Sequence, residues 1–322
     1  MTKLDVDLLV MTQMREYVLD QLEARFRAHK LYEASDPDEM LARIAPDIRA
    51  IATGAHKYVD VALMDKLPNL EIVSNFGVGY DNVDAKSAGT RGIIVTNTPD
   101  VLSDEVADTA IGLMINAVRE LPQAEQFLRA GKWKSGEYPL TQNTLREKRL
   151  GIAGLGRIGK AIAERAESFG LSIAYYGRTN QNIAYEYHDT LKGLAEHVDI
   201  LISVLPGGAA TDKAFNAEVF SALGPTGTFI NIGRGSAVDE AALIAALENG
   251  TIRSAGLDVF AKEPHVPDAL LALPNAVLLP HVGSGSVYTR NAMGQLLVDN
   301  LTNWFETGKP ISPVAETPFP KT

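Results

Sequence analysis

The chain contains no cysteine, which excludes disulfides, thiolate nucleophiles and cysteine-ligated metal at once. It has no apolar run approaching the roughly twenty residues that cross a bilayer. Its opening residues, Met1-Thr2-Lys3-Leu4-Asp5, lead straight into the short run Leu8-Leu9-Val10, without the pattern of a signal peptide. Positive charge is in deficit: forty acidic residues against thirty Lys and Arg give a formal charge of −10, which argues against a nucleic-acid or anionic-membrane surface. Fixed-period repeats and low-complexity tracts are absent. These absences predict a cytoplasmic protein that engages neither nucleic acid nor membrane. What is present is ordinary for a globular protein: 322 residues, 46% hydrophobic and 22% charged, enough chain for roughly two domains.

The most informative stretch is Leu150-Gly151-Ile152-Ala153, a short apolar run, followed by Gly154-Leu155-Gly156-Arg157-Ile158-Gly159. The next residues, Lys160 to Ala166, are helix formers with apolar positions near helical spacing. A GxGxxG turn between strand and helix is the context a dinucleotide site requires. The first glycine permits the tight turn, the second lets a pyrophosphate approach the backbone, and the third lets helix and strand pack closely.

The segments before this turn alternate. Leu8–Met11 reads as a strand, Glu16–Ala28 as a helix, Asp38–Ile44 as a helix, Ile48–Thr53 as a strand and Val61–Lys66 as a short helix. Glu71–Phe76 and Gly92–Thr96 read as further strands, so residues 1–97 form one doubly wound unit. Asn97-Thr98-Pro99-Asp100 marks a domain crossing. A long helix then runs to about Arg119, capped by Ser103 or Asp104, and its many apolar positions predict burial, with a second subunit as one possible cover. Residues 129–148 read as an irregular arm. Beyond the glycine turn, strands at Ser172–Tyr176, Asp199–Leu205, Thr228–Ile232, Ala255–Val259 and Ala276–Leu279 alternate with helices. A final helix from Tyr288 returns to the first unit. The expected architecture is α/β: two doubly wound parallel-sheet domains, a Rossmann cofactor domain over 98–287 inserted into a flavodoxin-like substrate domain of 1–97 and 288–322.

Ligands of open α/β sheets bind beyond the carboxyl ends of the strands. Polar residues there are Arg234, Asp258, Glu263 and His281. Alone, each is compatible with a surface loop or a capped turn; together they supply a cation, acids and a base. A planar guanidinium grips a carboxylate and polarises a neighbouring carbonyl. A histidine protonates a developing alkoxide, and an adjacent carboxylate orients it and favours its protonated form. With a nicotinamide as hydride source, this is the chemistry of 2-keto acid reduction.

The glycine motif, Asn231-Ile232-Gly233-Arg234-Gly235, Gly256-Leu257-Asp258-Val259-Phe260 with Glu263-Pro264, and Leu279-Pro280-His281-Val282-Gly283-Ser284 occur in the order found in the D-2-hydroxyacid dehydrogenase family, which the chain resembles over nearly its whole length. The resemblance implies Arg234, Glu263 and His281 as catalytic residues, with Arg234 binding substrate and Glu263 partnering His281. It also implies substrate contacts from the backbone of Val78 and Gly79, and from Trp133 on the arm, reaching a partner subunit's active site in a homodimer. The implied cofactor contacts are Gly154, Gly156, Arg157, Ile158, Gly159, Pro206, Thr211, Ile232, Asp258 and Gly283. No metal is implied.

The cofactor follows from the tip of the next strand. An NAD site places an acid about twenty residues past the glycines to hold the ribose 2′-hydroxyl. Here the strand ends in Gly177-Arg178-Thr179, offering a cation and a hydroxyl to a 2′-phosphate, so NADPH is expected, with NADH the weaker alternative. This ending is most similar to the NADPH-dependent glyoxylate/hydroxypyruvate reductases, whose substrates would be glyoxylate, hydroxypyruvate or pyruvate. Two alternatives share the fold: phosphoglycerate dehydrogenase, which calls for further cations and often an appended regulatory domain, and a nucleotide-sensing corepressor.

Overall fold

A computed structural model describes residues 3–54 and 57–320. The chain divides into two compact units, one of residues 1–102 and 286–322, the other of 103–285. The first unit holds β1 (Asp7–Val10), α1 (Glu16–Arg25), β2 (Arg27–Lys30), α2 (Pro37–Ile44), β3 (Ile48–Gly54), α3 (Val61–Lys66), β4 (Ile72–Phe76), α4 (Ala85–Thr90) and β5 (Ile94–Thr96). The second holds α5 (Ser103–Arg119), α6 (Leu121–Arg129), β6 (Arg149–Ala153), α7 (Arg157–Glu167), β7 (Ser172–Tyr176), β8 (Glu186–His188), α8 (Leu191–His197) and β9 (Ile200–Ser203). It continues through α9 (Ala217–Leu223), β10 (Thr228–Asn231), α10 (Glu240–Glu248), β11 (Ser254–Leu257), α11 (Asp268–Leu271) and β12 (Ala276–Leu278). The chain then returns to the first unit as α12 (Val287–Thr307).

In the first unit the order is β2-β1-β3-β4-β5, all parallel, the flavodoxin-like arrangement. Strand β1 is buried on both faces because its side chains alternate between two cores: Leu8 and Val10 pack with Val18 and Leu22 of α1, while Leu9 packs with Ile51 and Val73. Helix α12 joins the first of these cores through Leu297, Val298 and Leu301. Gly294 permits its approach to α1, since a Cβ there would stand 2.2 Å from Val18 Cγ2. Helix starts follow from their caps: Asp36, Asp60 and Asp84 each accept a backbone N–H three residues on.

The second unit orders its strands β12-β11-β10-β9-β6-β7-β8, all parallel. Successive strands wind outward from β6 in one direction and then from β9 in the other, so the order reverses between β6 and β9. That is the switch point at which a Rossmann sheet takes its dinucleotide, and the glycine turn follows β6. Among the described residues no helix is long and apolar enough to cross a membrane.

Several elements differ from expectation. The first helix stops at Arg25, and Arg27–Lys30 forms the edge strand β2. Phe26 at the junction is fully buried and extended, which ends the helix, and Asp7 on β1 binds both Arg27 and His29. Strand β8, where no strand is expected, is another short polar edge strand. The arm begins with the 3-10 turn Lys132–Lys134 after α6. Helix α5 is covered by its own unit: it packs on α7, β10 and β11, and Gly256 admits Leu113 so closely that an added Cβ would lie 3.4 Å from the leucine Cβ. Its apolar face therefore needs no second subunit to bury it. Neither Ser103 nor Asp104 precedes α5 as a cap; both lie in its first turn, where Asp104 pairs with Arg165 of α7.

Candidate active site

The glycine turn has three glycines in three different situations. Gly154 has φ +99°, and a Cβ on it would lie 3.0 Å from Val204 O. Gly159, in the first turn of α7, has its Cβ position 2.3 Å from Gly154 O, so helix and strand meet without a side chain between them. Gly156, the N-cap of α7, has nothing within 4 Å of its Cβ position. Its neighbours do not require it to be glycine; the open space beside it, at a helix N-terminus, suits the approach of a pyrophosphate. Arg157 is exposed, Ile158 is half-buried, and Thr211 closes the neighbouring loop by donating to Pro206 O at 2.6 Å.

Beyond β7, Arg178 and Thr179 are exposed, and Arg178 has no protein partner among the described residues. The loop carrying them is braced from beneath. Tyr175, fully buried on β7, donates to Asn180 Oδ1 at 3.1 Å and accepts from Gln181 N at 2.7 Å. Gln181 Nε2 donates to Leu155 O at 2.8 Å, tying this loop to the glycine turn. Tyr187 on β8 donates to Gly177 O at 3.2 Å. These residues fit a 2′-phosphorylated dinucleotide: an unpartnered cation on a braced loop, beside an open glycine at a helix N-terminus.

The acid–base group lies beyond β10, β11 and β12, neighbouring parallel strands that end on the same edge of the sheet. His281 Nδ1 lies 2.7 Å from Glu263 Oε2, and Glu263 Oε1 accepts from Phe260 N at 3.1 Å. The carboxylate is thus fixed by its own loop while it orients the imidazole, whose side chain remains 42% exposed. Asp258 is 1% exposed and uses both oxygens on backbone N–H groups, Val282 at 2.7 Å and Gly283 at 2.8 Å. Burial raises its pKa, opposed by those two hydrogen bonds. His281 itself has φ +53°, a conformation that the grip of Asp258 on the next two residues holds in place.

Arg234 is half-buried on the β10 loop, with Nη1 donating to Gly233 O at 2.9 Å. Its loop is braced by Asn231, which accepts from Gly233 N and donates to Arg234 O. Both flanking glycines are sterically required, since a Cβ on Gly233 would lie 2.6 Å from Leu205 O and one on Gly235 only 1.9 Å from Phe260 C. The second contact seats the Arg234 loop directly on the segment leading to Glu263. Ile232 is buried in the same loop.

In the first unit the turn after β4 is held by its carbonyls. Gly77 O accepts from Thr98 N, Val78 O from Asn97 Nδ2, and Gly79 O from Asn75 Nδ2. The N–H groups of Val78 and Gly79 are left with no protein acceptor among the described residues. Two such donors suit an anion.

Residues 111–283 match the family described as D-isomer specific 2-hydroxyacid dehydrogenase, NAD binding domain. Over 310 residues the chain is 46% identical to glyoxylate/hydroxypyruvate reductase A HPR2 of Arabidopsis thaliana, covering 96% of this chain and 99% of that one. The chain belongs to the D-2-hydroxyacid dehydrogenases. It is also 45% identical to a hydroxyphenylpyruvate reductase of Plectranthus scutellarioides, over 95% of this chain and 97% of that one. Among solved structures, the NADPH-dependent glyoxylate/hydroxypyruvate reductase of Sinorhizobium meliloti, crystallised with NADP and malonate, superposes with a TM-score of 0.91 at 54% identity, covering 98% of each chain.

Of the residues expected at this dehydrogenase's site, Asp258, Glu263, His281 and Gly283 are brought into one hydrogen-bonded group. Trp133, on the 3-10 turn after α6, is 66% exposed. Residues that sequence reading missed are Asn231, Tyr175 and Gln181, which hold the loops carrying Arg234 and Arg178. Asn231 belongs to the segment Asn231–Gly235 and Tyr175 to the strand Ser172–Tyr176, yet nothing in either position signals a side chain that reaches a loop.

Proposed function

We propose that this dehydrogenase reduces small 2-keto acids, such as glyoxylate, hydroxypyruvate and pyruvate, to the D-2-hydroxy acids with NADPH. The observation that carries the reading is the 2.7 Å pair of His281 Nδ1 and Glu263 Oε2. With Nδ1 engaged, Nε2 is the nitrogen left to hand a proton to the substrate's carbonyl oxygen as it gains negative charge. Arg234 binds the substrate and polarises that carbonyl, its loop pinned by Asn231. Asp258 keeps Val282 and Gly283 in place and so positions His281. In the unit of residues 1–102 and 286–322, read as the substrate-binding domain, the N–H groups of Val78 and Gly79 offer donors to a carboxylate.

The nicotinamide cofactor supplies the hydride when bound. Gly154, Gly156, Arg157, Ile158 and Gly159 would hold its pyrophosphate, Arg178 and Thr179 its 2′-phosphate, and Pro206, Thr211, Ile232, Asp258 and Gly283 line the remaining contacts. The same reading takes the enzyme as a cytoplasmic homodimer. Support for the dimer comes from Leu121, Leu128, Trp133 and Leu140, whose apolar side chains stand 44–89% exposed along one stretch of chain. The test is steady-state turnover with a panel of 2-keto acids, including a phosphorylated one, with NADPH and NADH in parallel. Fast NADPH-dependent reduction of the small acids is expected, and no turnover with any acid would overturn the assignment.

A further inference from the structure

We propose that Glu186, His188 and His197 form a binding site for a divalent transition-metal ion of the zinc type at the outer edge of the second unit's sheet. The three belong to none of the groups described above. Glu186 and His188 lie two residues apart on the edge strand β8, so they project to the same side. His197 ends α8 and stands across from them. Glu186 joins the two histidines: Oε1 lies 3.4 Å from His188 Nε2 and Oε2 lies 3.0 Å from His197 Nε2. The imidazole rings are 4.9 Å apart between centroids.

One ligand atom from each residue falls within 4.8 Å of the others. Tetrahedral zinc with bonds of about 2.0–2.1 Å sets its ligand atoms about 3.4 Å apart; the carboxylate–imidazole separations, 3.4 Å from Oε1 and 3.0 Å from Oε2, fall near that value. No separation exceeds 4.8 Å, so the set closes by a side-chain movement of at most about 1.4 Å on the same geometry. A second observation points to a ligand: His188 Nε2 is shut off from solvent and makes no hydrogen bond among the described residues, despite lying near Glu186. A buried nitrogen without a hydrogen bond is costly, and a metal ion would satisfy it.

The donor set selects the ion. Two imidazoles and one carboxylate suit zinc, cobalt, nickel or copper, whereas magnesium and calcium call for oxygen donors alone. With three protein ligands, the fourth position is left to water. Coordination would fasten edge strand β8 to α8. Tyr187, between the two ligands on β8, donates to Gly177 O, so the same strand holds the loop that carries Arg178.

The experiment is calorimetric titration of the metal-stripped full chain with zinc chloride, with magnesium chloride as control, alongside thermal unfolding. The proteins compared are the wild type, His197→Gln, the double variant His188→Gln/His197→Gln, and His281→Gln. His281 beside Glu263 is the competing site, and His197 is partly exposed at a helix end, so its single variant retains the fold. The expected result is one zinc equivalent and a raised Tm for wild type and His281→Gln, neither with magnesium. His197→Gln weakens zinc binding by a factor on the order of 10 to 100 or more, and the double variant abolishes it. Zinc binding unchanged in the double variant, lost in His281→Gln, or absent from the wild type would each overturn the proposal.

Discussion

Gly156 and Gly159 stand three residues apart in one motif, yet their surroundings predict opposite consequences for the same substitution. A Cβ on Gly159 falls 2.3 Å from Gly154 O, about 1 Å short of ordinary contact, and both atoms belong to backbone that cannot swing aside. Overpacking of this kind costs about 1–3 kcal/mol. For a domain of this size each kcal/mol moves Tm by about 2–4 °C, so Gly159→Ala should lower the Tm of the ligand-free protein by roughly 2–12 °C. A Cβ on Gly156 meets nothing within 4 Å, and its φ of −82° is open to alanine. The loss is then only that of a glycine N-cap, about 1 kcal/mol or less, and the ligand-free Tm falls by at most about 2–4 °C. Its effect appears on adding cofactor. If the pyrophosphate occupies that open space, the new methyl displaces a charge-assisted hydrogen bond worth about 1.5–3 kcal/mol, a loss of about 10- to 100-fold in NADPH affinity. Calorimetric unfolding without ligand and fluorescence titration with NADPH read the two effects separately. A folded Gly156→Ala protein that binds NADPH as tightly as the wild type would refute the placement of the phosphates.

The remaining predictions concern the acid–base pair, the cofactor and the first unit. His281→Ala should reduce kcat by about 10²–10⁴, the range for a lost general acid, and near-normal turnover in a stopped-flow assay would remove it from the mechanism. Glu263→Gln removes the carboxylate 2.7 Å from His281; with the charge-assisted hydrogen bond that orients the imidazole gone, kcat should fall more than KM for the keto acid changes, and an unaltered kcat in steady-state kinetics would contradict the pairing. Arg178→Ala should raise KM for NADPH and leave KM for NADH little changed, and an unaltered preference between the two cofactors would contradict a 2′-phosphate contact. Asp7, held below the usual carboxylate range chiefly by its hydrogen bond from Arg27, contributes stability that is present above its unfolded pKa near 3.9 and lost as the pH falls through the lower folded value. Asp7→Asn should therefore be less stable than wild type in urea at pH 7 by about 1–3 kcal/mol, with the gap narrowing below pH about 4.

Where the physics is local, the residues declare themselves. The GxGxxG turn, the alternation of apolar strands with helices, and the boundaries of long elements such as α5 and α12 arise from neighbours in sequence, so α/β class, dinucleotide binding and the family could be read directly. The strands that patterning misses are β2 and β8, spelled Arg-Ala-His-Lys and Glu-Tyr-His; each pairs on one side only, leaving the other edge free to be polar. Apolar patterning does not mark such strands. The burial expected of α5 was likewise right in kind, but the cover suggested for it, a second subunit, is supplied by α7, β10 and β11 of its own unit, because a helix's apolar face does not say which surface it meets.

The sequence by itself determined the parts list: a glycine turn after a strand, an Arg-Thr tip without a carboxylate, and Arg234, Asp258, Glu263 and His281 placed after successive apolar runs. Only the tertiary structure decided how the parts serve one another. Eighteen residues separate Glu263 from His281, and nothing in that interval encodes a 2.7 Å contact; parallel strands ending on one edge of the sheet create it. The same packing turns Asp258 into a brace for the histidine segment, sets Tyr175 beneath the Arg178 loop, and gathers Glu186, His188 and His197 at the sheet's edge. Their roles depend on distances that arise when strands align, and strand alignment is a property of the whole sheet.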